Sequence, residues 1–415
     1  MTERVPLRNQ DLVSPGGPSL VAIEPYVQTY PWGSVSEMAE FLQVEPTGGP
    51  MAEAWFGVHP SGPAVVRDDP QRRSLAELLV SRNQKMEFLL KVLSIAAPLS
   101  LQLHPTIDQA RAGFADENRR GIPIADASRV FRDQNHKPEL ICALTELDAL
   151  CGFREIADSV ALLGEIGGHV ATAIIELLRG GAGIRDILRR LLTSGDPLLG
   201  TGSVARLTSL SEFLEGATRA ANRPHPAPHE LALEWIQKLG NTYPGDGGVV
   251  VAALMNCVRI QPGEALFLAA GNLHAYLRGF GIEIMANSDN VVRGGLTSKH
   301  IAVDALTELV DSDPTPVPVV RAEWSRLVGG AAVERWPVPV RDFSLIRVTV
   351  ARNESGTLKV GGHPFVVLCS TGEVTLSTNS EALSIGRGHA AYVAPEQDLS
   401  FSGYGEGFVA TSAQT

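Results

Sequence analysis

Basic residues are the minority charge in this 415-residue chain: 35 Lys and Arg stand against 46 Asp and Glu, for a formal net charge of -11. A general nucleic-acid binder presents a basic field, so that class is excluded, while a small anion held in a local pocket of Lys and Arg stays open. Cysteine is scarce as well. Cys142, Cys151, Cys257 and Cys369 are scattered among apolar neighbours and lack the spacing of a cysteine zinc site. Reduced, buried thiols in a cytoplasmic protein fit this better than a disulfide frame. No apolar run reaches the roughly 18 residues of a membrane span, and the opening MTERVPLRNQDLVSPGGPSL has no apolar core of a signal peptide. Neither G-x-x-x-x-G-K-[ST] nor a G-x-G-x-x-G after a strand occurs, so a nucleotide or nicotinamide site has no support. What is present is a globular composition long enough for two or three domains.

The texture changes along the chain. Residues 1–85 mix short apolar runs with many Gly and Pro and one helical piece at SVSEMAEFL. MEFLLKVLSIAAPLSLQLHP reads as two strands broken at 96–98, and KPELICAL as another. From about 155, segments such as ADSVALLGEIGGHVATAIIELLRG and GIRDILRRLLTS space apolar residues at three and four, the pattern of amphipathic helices, and helix dominates to about 245. Strand texture returns with GGVVVAALMNCVRIQPGEALFLAAGNLHAYLRGFGIEIMA, and SKHIAVDALTELVDS reads as one helix. DSDPTPVPVV reads as a linker, and the chain from about 342 alternates again. The expected architecture is mainly β with α: two β-barrel or jelly-roll units, with a helical block inserted into the first.

The stretch LSLQLHP (99–105) places Leu99, Leu101 and Leu103 on one strand face and Ser100, Gln102 and His104 on the other. A polar face of this kind either meets water or collects ligands for a cation. In NHKPEL, Lys137 and Glu139 share a face while His136 points away. In QPGEALFLAAGNLHAYLRG, a hairpin puts His274, Tyr276 and Arg278 on one face. Gln102, His104, Glu139 and His274 then make a candidate site of two imidazoles, a carboxylate and an amide, a donor set that suits zinc and leaves manganese or iron open. In GIEIMANSDNVVRGGLTSKH, dense polar residues need partners if buried, and Arg293 with Lys299 can pair with a phosphate or remain surface cations.

Together YPWGS (30–34), AEAWFGVHPSGP (52–63), FLLKVLSIAAPLSLQLHP (88–105), NHKPELICAL (135–144), LCGFR (150–154), GNLHAYLRG (271–279) and GIEIMANSDNVVRGGLTSKH (281–300) closely resemble the zinc-dependent type I mannose-6-phosphate isomerases, in the cupin superfamily. The resemblance runs from about 25 to 305. It implies cupin-like barrels, with 1–154 holding the N-terminal β part and half of the catalytic barrel and 155–245 an inserted helical domain. It assigns 246–320 to the rest of that barrel and 321–415 to a C-terminal β barrel. It also implies one Zn2+ per chain on Gln102, His104, Glu139 and His274, Arg293 in the active site, and Ser100 and Lys299 at the phosphate. Lys137, Tyr276, Glu283 and Asp289 match other active-site positions, and Trp32 and Glu53 either shape the pocket or pack. The implied partner is a small-molecule sugar phosphate, with no nucleic acid and no membrane, and the chain is expected to act as a cytoplasmic monomer.

The implied reaction interconverts mannose 6-phosphate and fructose 6-phosphate through a cis-enediol. Lys137, Glu283 and Asp289 are the candidate proton-transfer groups, with Lys137 and Asp289 favoured and Glu283 orienting its neighbours. Two rivals predict different chemistry. A cupin oxygenase would use two histidines and one carboxylate without needing Gln102. A non-catalytic sugar-binding barrel would bind without converting.

Overall fold

The computed structural model describes residues 17–224, 227–359, 362–395 and 397–412. Most of the N-terminal stretch read above for a signal run (1–16) therefore lies outside the described residues, as do two residues (225–226) of the Pro-rich segment before PHELALEW.

Two large antiparallel sheets organise the chain. One runs in the order Glu323–Arg326, Ala332–Arg335, Ser344–Val350, Leu399–Thr411, Phe365–Ser377, Ala390–Val393, Leu20–Glu24, Val65–Val66. The other runs Val319–Val320, Ala265–Leu268, Glu139–Ala143, His274–Ala286, Phe88–Ile95, Glu53–Phe56, Tyr26–Gln28. The 13-residue strand His274–Ala286 extends past this path, and its first residues pair instead with Leu101–Leu103 and Leu147–Phe153. An N-terminal strand thus completes the sheet built by the C-terminal strands: Leu20 lies opposite Val393.

These pairings correct the expectation of two cupin-like barrels or jelly rolls. Among the described residues neither sheet closes: the first and last strands of each path do not pair. The architecture is mixed α/β with open sheets. The physical reason is that alternation reports which strand face is buried, whereas closure depends on a pairing between strands far apart in sequence. Short alternating strands with Pro-Gly turns serve open and closed sheets equally well.

Helices occupy most of the span from Ile156 to Leu254. In Ile184–Leu192 the buried residues Ile184, Ile187, Leu188, Leu191 and Leu192 form one stripe. Gly248–Leu254 departs from the sequence reading, which had strand there. Its three valines lower helix propensity by only about half a kcal/mol each, and all seven residues are buried, which outweighs that cost. A helix the periodicity did not single out, Ile107–Arg119, opens on a capping box between Thr106 and Gln109 directly after Pro105.

The apolar face of LSLQLHP finds its partner in this helical block. Leu101 and Leu103, both fully buried, pack in one cluster with Leu162, Ile187, Leu188 and Phe213. Gln102 and His104 are left to face the sheet side. Among the described residues no helix is long and apolar enough to cross a membrane. Replacing Leu103 by Ala should cost about 2–5 kcal/mol of stability through lost transfer energy and a residual cavity, read as a lower urea midpoint at unchanged slope.

Candidate metal centre

Three strand ends converge. His104 follows the last residue of Leu101–Leu103, Glu139 opens Glu139–Ala143, and His274 opens His274–Ala286. All three side chains are buried, and one ligand atom from each lies within 4.8 Å of the others. His104 Nδ1 stands 2.7 Å from the Asn290 carbonyl oxygen, and His274 Nδ1 stands 2.9 Å from that of Asn272. A carbonyl can only accept, so each Nδ1 donates, and Nε2 is the ring nitrogen left to bear a lone pair for a ligand.

Those lone pairs face other lone pairs. His104 Nε2 is 3.3 Å from Glu139 Oε1, and His274 Nε2 is 3.4 Å from Glu139 Oε2. Neither imidazole nitrogen has a hydrogen-bond partner, nor has Glu139 Oε2. Buried polar atoms are almost always paired. Three orphans aimed at one point, fixed by carbonyls behind them, fit a cation with nitrogen and oxygen ligands. Burial pushes the His104 imidazole down to about 4, so it stays neutral and able to ligate. Burial opposes charge on Glu139, yet the Lys137 ammonium beside it holds its carboxyl well below the ordinary range.

Gln102 is half-buried and lies directly opposite His274 in the register, with Arg293 opposite it on the other side. Residues so paired project to one face with Cβ atoms about 5 Å apart, which puts the amide beside the trio. Lys137 Nζ is 2.9 Å from Glu139 Oε1. Tyr276, buried, donates its hydroxyl to Glu283 Oε1 at 3.0 Å, and burial raises its pKa well above the phenol range. Glu283 Oε2 faces Lys91 Nζ at 3.2 Å, and burial pushes this carboxyl up against the pull of Lys91. Asp289 is about half exposed and meets His59 Nε2 at 3.4 Å. Ser100 is half-buried just ahead of the Gln102 strand. Arg293 is half-buried and Lys299 exposed. Burial and neighbouring cations depress both, Arg132 acting on each and Arg293 on Lys299 as well. His136 turns away to Asp342 at 2.8 Å, and Arg278 leaves the site for Asp148.

Sequence reasoning missed Lys91. It sits in the mostly apolar strand FLLKVLSI, buried, between Glu53 at 3.3 Å and Glu283 at 3.2 Å. Burial works against its charge, but those two carboxylates hold its ammonium above the usual lysine range. Glu53 also accepts from Trp55 Nε1 at 2.5 Å. The available signal was a lone lysine in a buried strand, which demands a counterion. Arg132 and His59 were also missed; both lie in segments whose polar residues have no periodic signature.

The titration of His104 and Glu139 has a testable sign. Between its ordinary value of 6.5 and about 4, His104 takes up a proton in the unfolded chain but not in the folded one. Stability of the metal-free protein should therefore be lost as pH falls through that window. Glu139, held low, adds a loss at lower pH, because its contribution is present above the unfolded carboxyl value. Urea midpoints measured in chelator from pH 7 to 4 should fall, and His104→Gln should flatten the upper part of the curve.

Comparison with known proteins points in one direction. Residues 20–156 match the family model described as phosphomannose isomerase type I, catalytic domain. The mannose-6-phosphate isomerase of Salmonella typhimurium (strain LT2) is 34% identical over 396 residues, covering 91% of this chain and 96% of its own. A crystal structure of zinc-bound mannose 6-phosphate isomerase matches with a TM-score of 0.82 at 30% identity, over 96% of this chain and 100% of the other. The Salmonella typhimurium enzyme bound to its substrate F6P and zinc matches with a TM-score of 0.81 at 30% identity, over the same shares.

Proposed function

The chain belongs to the type I phosphomannose isomerases, and from that membership we propose that it interconverts mannose 6-phosphate and fructose 6-phosphate with one divalent cation per chain. The observation that carries the reading is the buried trio of His104, Glu139 and His274, whose orphaned atoms share one point. These three would hold the metal, with the Gln102 amide oxygen as a fourth ligand. Nitrogen and oxygen donors without thiolate suit zinc. When bound, such a cation supplies positive charge for the C1 and C2 oxygens of the open-chain sugar.

The remaining work falls to the chain's own side chains. Arg293 and Lys299, with no carboxylate partner among the described residues, and Ser100 bind the phosphate. Anchoring that end places C1 and C2 near the strand ends. Lys137 and Asp289 move the protons: the C2 proton leaves and O1 gains one, giving the cis-enediol. C1 then receives a proton while O2 loses one, leaving the ketose. Both Glu283 oxygens are engaged, by Tyr276 and Lys91, so Glu283 orients its neighbours. The small sugar phosphate is the partner, and the chain works as a cytoplasmic monomer. Its four cysteines are all free, in keeping with a reducing compartment.

Purified protein supplied with mannose 6-phosphate should form fructose 6-phosphate, stop when a chelator strips its metal, and recover with zinc. His104→Ala should lose metal and turnover together; full turnover after complete metal removal would overturn the reading. Lys137→Met should lower kcat by about 10²–10⁴-fold while zinc content, measured by atomic emission, stays at one per chain.

A further inference from the structure

The loop carrying Lys299 is tied to the helical block through a single carboxylate. Asp246 Oδ1 accepts from the backbone N–H of Gly248 at 2.7 Å, and its Oδ2 accepts from the backbone N–H of Thr297 at 3.1 Å. Thr297 in turn accepts the Lys299 N–H on its hydroxyl at 3.1 Å. The Asp246 segment is itself fastened by Arg206, whose Nε donates to the Gly245 carbonyl at 3.0 Å and whose Nη2 donates to that of Leu191 at 2.9 Å.

Packing reinforces the tie. Leu296 is buried in the helical core although its φ is +55°, a left-handed conformation that a branched residue keeps only when its surroundings impose it. Gly295 and Gly248 meet backbone to backbone: a Cβ on Gly248 would lie 2.8 Å from Leu296 N, and one on Gly295 would lie 2.9 Å from Gly248 Cα. The Arg293 strand therefore turns into the Lys299 loop against a surface supplied by residues 246–248.

We propose that Asp246 is a positioning residue for the substrate phosphate, fixing from the helical block the loop that presents Lys299. This rests on the reading of Lys299 as a phosphate ligand. Asp246 touches no substrate; it acts by holding the Thr297 N–H, so its loss should weaken phosphate binding and leave proton transfer and the metal alone.

The test compares Lys299→Met, Asp246→Ala, Asp246→Asn, Gly248→Ala and the double variant Asp246→Ala/Lys299→Met. Measurements are kcat, KM for mannose 6-phosphate, the inhibition constant of inorganic phosphate, zinc content and melting temperature. Lys299→Met should raise KM and the phosphate inhibition constant about tenfold, the size of one charge-assisted contact. Asp246→Ala should raise both about fivefold or more with kcat within about twofold and zinc unchanged, and should add little in the double variant. Asp246→Asn, retaining one acceptor oxygen, should recover part of the loss. Gly248→Ala keeps the carboxylate but pushes on Leu296, so it carries the test if Asp246→Ala does not fold. Wild-type KM and phosphate inhibition in both Asp246→Ala and Gly248→Ala, alongside an affected Lys299→Met, would overturn the inference alone. An unaffected Lys299→Met would overturn the phosphate reading and the inference with it.

Discussion

Everything at this site follows from lone pairs that confront one another in a place water does not reach. Two backbone carbonyls, of Asn290 and Asn272, each take the Nδ1 proton of an imidazole. In the neutral rings the Nε2 atoms are left without a partner, facing a carboxylate whose Oε2 also lacks one. Facing lone pairs of this kind are stabilised when a cation completes the site. The same sheet face buries Glu53, Glu139 and Glu283 beside Lys91 and Lys137.

Asn290 shows how closely the ligand geometry and the surrounding loops are linked. Its carbonyl fixes His104, its side-chain oxygen accepts the Arg132 and Asp133 N–H groups, and its amide nitrogen donates to the Asp133 and Asn135 carbonyls. One fully buried amide thus sets an imidazole tautomer and the path of the segment leading into Lys137 and Glu139. The dense polar run NSDN needed partners if it was buried, and this network provides them.

The helical block has two mechanical consequences for the site. It buries Leu101 and Leu103, which turns Gln102 and His104 the other way. It also supplies the Asp246 carboxylate and the Gly248 backbone against which the Arg293–Lys299 segment lies. A region poor in recognisable motifs in this sense shapes the surroundings of the site, acting through packing and the Thr297–Asp246 hydrogen bond.

Local chemistry was legible in the chain itself. Period-two alternation sorted Leu101 and Leu103 from Gln102 and His104, and the same rule set Lys137 beside Glu139 and turned His136 away. Residue type supplied the donor set. Tertiary structure alone decided what depends on distant pairing: that the sheets stay open, that Gly248–Leu254 is helix despite its valines, and that Arg278 leaves the site for Asp148. It also decided that Lys91, one cation in a greasy strand, lies between Glu53 and Glu283. Alternation states which way a side chain points. Which groups meet it there is set by strands and loops up to about two hundred positions away, and no local pattern encodes that.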